Sequence, residues 1–460
     1  MKREFFEETV LFISIFKWIF LASCAGVIVG LATAIFLKLL ETGISFTQNY
    51  KYYYLLLPVA FFLSALIVKY FAPEAEGHGT EKVIEAVHKS SGKIDPLVVP
   101  VKLVATIITI AAGGSAGKEG PCAQIGAGLS SFFADLLKFN DRDRKKLVIC
   151  GISAGFAAVF GTPIAGAIFG VEVLFIGNLL YDILLPSFVA GVVGYHVSCA
   201  MGITYFHQPL NFIPIFSSYL FVKVCIGGLF FGICSLMFIE ILRFFEKTSK
   251  RINLWAPYKG ALGGLILIIL SLIFSTRYLG LGLDGIKISL EGGGISSGAF
   301  ILKMIFTAVT LGFGGSGGIV TPIFFIGAAA GNFYGRMLGF DPSLFAAIGM
   351  VSLLAGAANT PIAAGIMAVE LFGPSVAPYA VVACVISFLM TGHRSVYPSQ
   401  ILAITKSSSI QTITGCEIKD IRKVYVKIRP KTVISGIFKG FNIAKKGMKR
   451  NKNKEKHHKE

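Results

Sequence analysis

Two glycine-rich segments, 201 residues apart, hold the residues of this chain best suited to chemistry. Gly113-Gly114-Ser115-Ala116-Gly117-Lys118-Glu119-Gly120-Pro121 sets a carboxylate beside a lysine in an otherwise apolar stretch. Gly314-Gly315-Ser316-Gly317-Gly318-Ile319-Val320-Thr321-Pro322 repeats the glycines and the proline without the charges. Glycines free the backbone, and the proline suits the first turn of a helix. A helix that starts in apolar surroundings points unpaired N–H groups and the positive end of its dipole at whatever lies before it. Such an end holds an anion without burying a full positive charge. A glutamate there is costly unless it has a function. Anion handling beside a titratable carboxylate is the chemistry this pattern supports.

Other chemistries fit poorly. A nucleotide P-loop is excluded, because Glu119 follows Gly117-Lys118 where Ser or Thr is needed and Ala112 stands in place of the leading glycine. His-Glu-x-x-His, Gly-x-Ser-x-Gly with a partner histidine, and paired aspartates are all missing, and the seven histidines form no ligand-spaced cluster apart from the terminal pair. We therefore expect no enzyme, no metal and no cofactor. Acidic residues within the apolar runs are few and do not pair, which disfavours a cation carrier. The eight cysteines are scattered singly and read as small hydrophobes.

The elements that must position these residues are membrane helices. Hydrophobic residues make up 54% of the 460 residues and charged ones 15%; with 52 glycines the apolar share is roughly 65%, against about 45–50% in soluble domains. Spanning a bilayer takes about 20 apolar residues per helix, and the apolar runs supply a dozen or more spanning or half-spanning segments. Leu11 to Leu40 is too long for a signal-peptide core and reads as a retained membrane helix. The net charge of +18 is concentrated in residues 416–460, with 15 Lys/Arg against 4 Asp/Glu. That distribution predicts a cytoplasmic basic tail near anionic lipid, and not nucleic-acid binding. The run from Lys138 to Lys146 predicts a second cytoplasmic segment.

The chain also repeats itself. Gly113–Ala127 and Gly314–Ala328 share eight of fifteen positions, and Gly151–Glu172 and Gly349–Glu370 share nine of twenty-two at an offset of 198. Two blocks in the same order mark a duplicated transport fold with repeats at about 15–205 and 215–410. Sequence similarity leaves open whether the halves are parallel or inverted. The glycines in Gly177–Gly202 and Gly227–Gly232 read as close helix packing.

Gly117-Lys118-Glu119-Gly120-Pro121, followed by Gly318-Ile319-Val320-Thr321-Pro322, resembles the G-(K/R)-E-G-P and G-x-F-x-P signatures of the CLC family of chloride channels and proton-coupled chloride antiporters. Gly77-His78-Gly79-Thr80-Glu81 stands where the family has G-S-G-I-P, and Tyr397 matches its late tyrosine. The resemblance covers roughly residues 15–410. It implies an all-α, polytopic, antiparallel duplicated domain over residues 1–415 with broken helices meeting at the membrane centre. It also implies a homodimer in the cell membrane. Glu119 would be the gating and proton-coupling acid. The anion, chloride or another halide or nitrate, would be bound among His78, Gly79, Lys118, Gly120, Ile319, Val320 and Tyr397, with the Ile319 and Val320 amides and the Tyr397 hydroxyl as neutral donors.

Three departures from the family pattern bear on mechanism. His78 replaces a serine and brings a group able to titrate near neutral pH, or else is a solvated loop residue. Val320 replaces the usual phenylalanine, and Val320-Thr321-Pro322 is reminiscent of the fluoride-exporting subgroup, whereas Pro121 is closer to the chloride type. Val173 occupies the position of the inner proton-transfer glutamate, beside Glu172. Chloride–proton antiport is the favoured expectation, a passive chloride channel the alternative and a fluoride exporter the lesser one. Glu172 and Val173 mark the candidate inner proton path.

Overall fold

The computed structural model describes residues 2–205, 217–421 and 424–426; the basic tail beyond, including His457 and His458, and also His207 lie outside the described residues. The first half is built from α1 (Lys2–Gln48), α2 (Leu57–Phe71), α3 (Thr80–Lys89), α4 (Val98–Ala111), α5 (Glu119–Leu136), α6 (Asp141–Phe160), α7 (Pro163–Glu172) and α8 (Tyr181–Ala200). The second half repeats that order as α9 (Ser218–Arg251), α10 (Ala256–Ile273), α11 (Leu283–Leu290), α12 (Ala299–Gly312), α13 (Val320–Met337), α14 (Pro342–Ala358), α15 (Pro361–Phe372) and α16 (Ala377–Thr391).

Local sequence explains the matching boundaries. α6 and α14 open on side-chain caps, Asn140 accepting from the Asp143 amide at 2.9 Å and Asp341 from the Ser343 amide at 2.9 Å. They close on left-handed mates, Gly161 (φ 73°) and Asn359 (φ 58°). Pro163 and Pro361 then start α7 and α15.

Six described helical stretches are long and apolar enough to cross a membrane, including Phe6–Gln48, Tyr181–Ala200, Ser218–Arg251 and Ala256–Ile273. Their outer faces expose Phe12, Phe16, Val222, Ile226, Leu265 and Ile269, which suits lipid contact. α4, α7, α12 and α15 have only 14, 10, 14 and 12 residues. Helices this short end inside the protein, where non-helical backbone is tolerated because it is covered. The connection between α4 and α5 is buried from Ala112 to Gly117.

The halves are inverted. α7 and α15 pack antiparallel, with the carboxylate at or near the end of each bonded to amides at the start of the other. α2 packs against its mate α10, while α1 lies on α8 and α9 on α16. Close packing at glycine is evident on both outer seams: an added Cβ at Gly194 would come within 3.4 Å of the Gly26 carbonyl oxygen, and one at Gly228 within 2.9 Å of Ile386. Two short strands, Phe175–Ile176 and Ile401–Leu402, pair in parallel and tie the end of α7 to the segment after Tyr397. Cys416 to Lys419 bonds back onto Pro398, Gln400 and Leu402, so the packed part of the chain runs past residue 415.

Candidate anion site at the repeat axis

The two glycine-rich segments meet at the centre of the molecule. Gly117 and Gly318, mates at the 201 offset, exchange antiparallel backbone bonds: each N–H donates to the other's carbonyl, at 2.7 and 2.6 Å. Around them the side chains cross-bond in reciprocal pairs. Thr106 bonds Ser316 at 3.1 Å and Ser115 bonds Thr307 at 3.0 Å. The Ser115 amide donates to Thr310 at 3.0 Å and the Ser316 amide to Thr109 at 3.1 Å. Contacts in which i meets j′ while j meets i′ are the signature of a local two-fold axis. These hydroxyls satisfy backbone groups that the broken helices leave unpaired.

α5 and α13 both start at this axis, and Glu119 is the first residue of α5, 1% exposed. Its side chain reaches the N-terminus of α13, where Oε2 accepts from the Thr321 amide at 3.0 Å and Oε1 from the Thr321 hydroxyl. A carboxylate therefore sits on helix-terminal donors, where a free anion would bind. Ile319 and Val320, expected to provide the amides, are buried beside it at 1% and 0% exposure. Thr321 is the residue that holds the carboxylate, and the sequence reading had marked it only as a subgroup resemblance.

His78 is buried at 8% exposure, which excludes the solvated-loop alternative. Its ring centroid lies 5.5 Å from that of Tyr397, which is fully buried. His78 Nδ1 and the Tyr397 hydroxyl are both buried without a hydrogen-bond partner, although Thr80 is a polar neighbour of the hydroxyl. Gly79, at φ 82°, sits where an added Cβ would collide with the Gly120 carbonyl. His78-Gly79 thus lies directly against Gly120, next to Glu119. Lys118 precedes Glu119 at the start of α5. It lines a cavity of about 940 Å³ together with Lys38, Glu41, Arg277, Asp284 and Phe325.

The candidate inner path looks different from its sequence reading. Both oxygens of Glu172 are engaged, accepting from the Ile362 amide at 3.0 Å and the Ala363 amide at 2.8 Å. Glu370 does the same for Ile164 at 2.9 Å and Ala165 at 2.8 Å. Val173 is fully buried, and its carbonyl accepts from Gln400 at 2.8 Å.

The sequence reading missed a pair of lysines. Lys102 in α4 and Lys303 in α12 are mates at the 201 offset, and both are 0% exposed. Lys102 donates to the carbonyls of Ala75 at 3.1 Å and Gly77 at 2.5 Å, and Lys303 to those of Tyr278 at 3.1 Å and Gly280 at 2.8 Å. Each anchors the loop in front of a short helix, α3 or α11. A lysine recurring inside apolar runs at the repeat offset was the available signal. Among the described residues no cluster could hold a metal ion.

Comparison with known proteins identifies the family to which this fold belongs. The voltage gated chloride channel family matches residues 59–392. A chloride/fluoride channel protein of Pseudomonas syringae pv. tomato is 35% identical over 402 residues, covering 86% of this chain and 88% of the relative. The voltage-gated ClC-type chloride channel ClcB of Escherichia coli is 30% identical over 340 residues, 70% of this chain and 79% of that protein. Among solved structures, a CLC-type fluoride/proton antiporter superposes with a TM-score of 0.80 at 28% identity, covering 84% of this chain and 98% of the other. A slow cyanobacterial Cl⁻/H⁺ antiporter shares the fold with a TM-score of 0.72. With its repeated helices, its paired glycine-rich segments and a family match over most of its length, this chain belongs to the voltage gated chloride channel (CLC) family.

Proposed function

We propose that the protein exchanges a halide for protons across a membrane, with Glu119 as both gate and proton carrier. The observation that carries this reading is the Glu119 carboxylate seated on the amide and hydroxyl of Thr321. A carboxylate there competes with an anion for the same donors. Protonation removes its charge and weakens its hold, so the halide takes the donors when the proton arrives. His78 Nδ1, which has no protein partner, and the Tyr397 hydroxyl, with Thr80 as its polar neighbour, supply neutral donors beside Gly79 and Gly120. Neutral donors bind an anion without trapping it.

For the anion, Pro121 and Tyr397 point to chloride and Val320-Thr321 to fluoride. Two observations favour fluoride as the preferred halide. A hydroxyl donor at the gate suits the halide that accepts hydrogen bonds most strongly, and the 35% relative and the 28% structural neighbour both carry fluoride in their names. Vesicles reconstituted with the protein, read by fluoride and chloride electrodes and a pH electrode, test both parts. The expected result is fluoride efflux at least tenfold faster than chloride efflux, each driving protons uphill. Chloride moving faster than fluoride overturns the anion assignment. A passive pore, with no proton movement under either gradient, overturns the exchange.

A two-fold homodimer completes the proposal. α7 and α15 are too short to span a bilayer, yet they expose Ile164 and Ile362 beside exposed Leu185 and Val192 of α8 and Val381 and Val385 of α16. Short helices of this kind need cover by protein, and a second copy supplies it. The basic residues from Lys138 to Lys146 and in the tail support a cytoplasmic face for those segments in the cell membrane, near anionic lipid.

A further inference from the structure

A titratable side chain between Glu119 and water on the far side would relay protons, and Val173 offers none. Glu172 is committed to the first turn of α15, with both oxygens accepting amide bonds there. A different acid, standing where the family's G-S-G-I-P signature has its proline, is placed to act. Glu81 stands in the first turn of α3, and its Oε1 accepts from the Ser399 amide at 3.0 Å and the Ser399 hydroxyl at 2.6 Å. Its Oε2 is buried and has no hydrogen-bond partner. An unpaired buried carboxylate oxygen is costly as an anion. It is far less so when it carries a proton or meets a water.

The position of Glu81 links two environments. On the inner side of the protein core, Gly79 touches the Gly120 carbonyl, so Glu81 and Glu119 each lie within two residues of one backbone contact. Tyr397 lies within the electrostatic reach of both acids, and it is two residues before Ser399 in the segment that binds Glu81. On the solvent side, Lys419 donates to the Ser399 hydroxyl at 3.3 Å. Lys419, 38% exposed, also pairs with Glu417 at 2.6 Å and Glu85 at 3.6 Å. The charged and titratable groups that act on Glu81 are Glu85 on its own helix, Lys419, which is itself paired with Glu417, and Tyr397, while Lys82 and Lys102 act on the neighbouring His78.

We propose that Glu81 is the acid that passes protons between the exposed cluster at Lys419 and Glu119; the inference rests on the proton-exchange reading above. In the step, the Glu81 O–H bond breaks as its proton goes to a water, and that water gives a different proton to the Glu119 carboxylate. Glu81, now a carboxylate, is held by the two Ser399 donors and takes a proton from hydronium at the solvent cluster. No electron changes hands, and the step runs equally in reverse.

The test uses full-length protein in vesicles, with halide and proton fluxes recorded together. Glu81→Gln keeps an oxygen for Ser399 and removes only the titration. The expected result is a proton-to-halide flux ratio at least tenfold below wild type, with Glu81→Asp restoring a substantial part. A ratio equal to wild type in Glu81→Gln overturns the proposal. Equal loss of both fluxes in Gln and Asp variants also overturns it, because it marks a purely structural tie to Ser399. Wild-type protein that moves halide but no protons overturns both this proposal and the exchange reading, which separates that failure from a failure at Glu81 alone. Should Glu81→Gln fail to fold, Ser399→Ala decides: it keeps the backbone amide but loses the hydroxyl donor that favours the carboxylate, which moves the pH profile of coupled proton flux to higher pH, and an unshifted profile overturns the proposal.

Discussion

Glu172 and Glu370 each close the first turn of the helix that carries the other. Their four amide bonds lie between 2.8 and 3.0 Å, and the mates are 198 residues apart. Two orphan N–H groups and a favourable helix dipole are satisfied by one carboxylate at each end. Glu172→Gln and Glu370→Gln, each leaving an amide NH₂ facing a backbone N–H, should destabilise the protein by a similar amount, about 2–3 kcal/mol. Thermal unfolding in detergent checks this. The proton-to-halide ratio of Glu172→Gln should stay at the wild-type value, and a collapsed ratio would return Glu172 to the proton path.

Glu119→Gln and Glu119→Ala should remove proton coupling altogether while halide still crosses, because the Thr321 donors remain and their charged, titratable competitor does not. Vesicles in which a pH gradient alone still drives halide uptake through Glu119→Ala would refute the gating role.

Thr321→Val keeps the amide and loses the hydroxyl, so one of the two bonds to Glu119 disappears. Preference for fluoride over chloride should fall by about tenfold, the equivalent of one hydrogen bond to a charged group. Thr321→Ser should retain it. Paired electrode measurements decide, and an unchanged ratio in Thr321→Val would show that the hydroxyl does not select.

His78→Phe removes the unpartnered Nδ1 that faces the Tyr397 side of the site. Halide affinity measured by calorimetry should weaken by about tenfold, about 1.4 kcal/mol, and His78→Ser should recover much of it. Equal affinities in all three proteins would make the imidazole a packing residue.

Glu85, in the half-exposed cluster on α3, has its carboxyl held down to about 2, chiefly by its hydrogen bond to Lys89 and further by Lys82 and Lys419. A depressed carboxyl stabilises the folded state above its unfolded pKa of about 4.3, and that contribution is lost as pH falls through the folded value. Melting temperature should therefore drop between about pH 4 and 2 in wild type, and the drop should be shallower in Glu85→Gln. Parallel curves would mean that the cluster adds nothing to stability.

The sequence by itself determined that this chain is a duplicated helical membrane protein, and it located the two segments that meet at the centre. Those features are local or compositional. Apolar runs, glycine before proline and a repeat offset need no knowledge of how helices pack. Lys102 and Lys303 are marked by the same offset, although each by itself looks like a single charge in a long apolar run.

Only the tertiary structure decided which groups touch. Inversion of the halves is invisible in aligned residues, because parallel and antiparallel copies have the same sequence; it is expressed in the antiparallel exchange between Gly117 and Gly318. Glu119 meets Thr321, and not the Ile319 or Val320 amide, because the angle between two helix starts sets the reach of a side chain to within an ångström. The same applies to Glu172, whose partners lie 190 and 191 residues away, and to Lys118, the neighbour of Glu119 in the chain, which lines the open cavity. Burial of His78 and of Oε2 of Glu81 likewise depends on the Tyr397–Ser399 segment folding back from the far end of the second repeat. Contacts between residues some 200 or more positions apart depend on the packing of whole helices, and no local pattern encodes them.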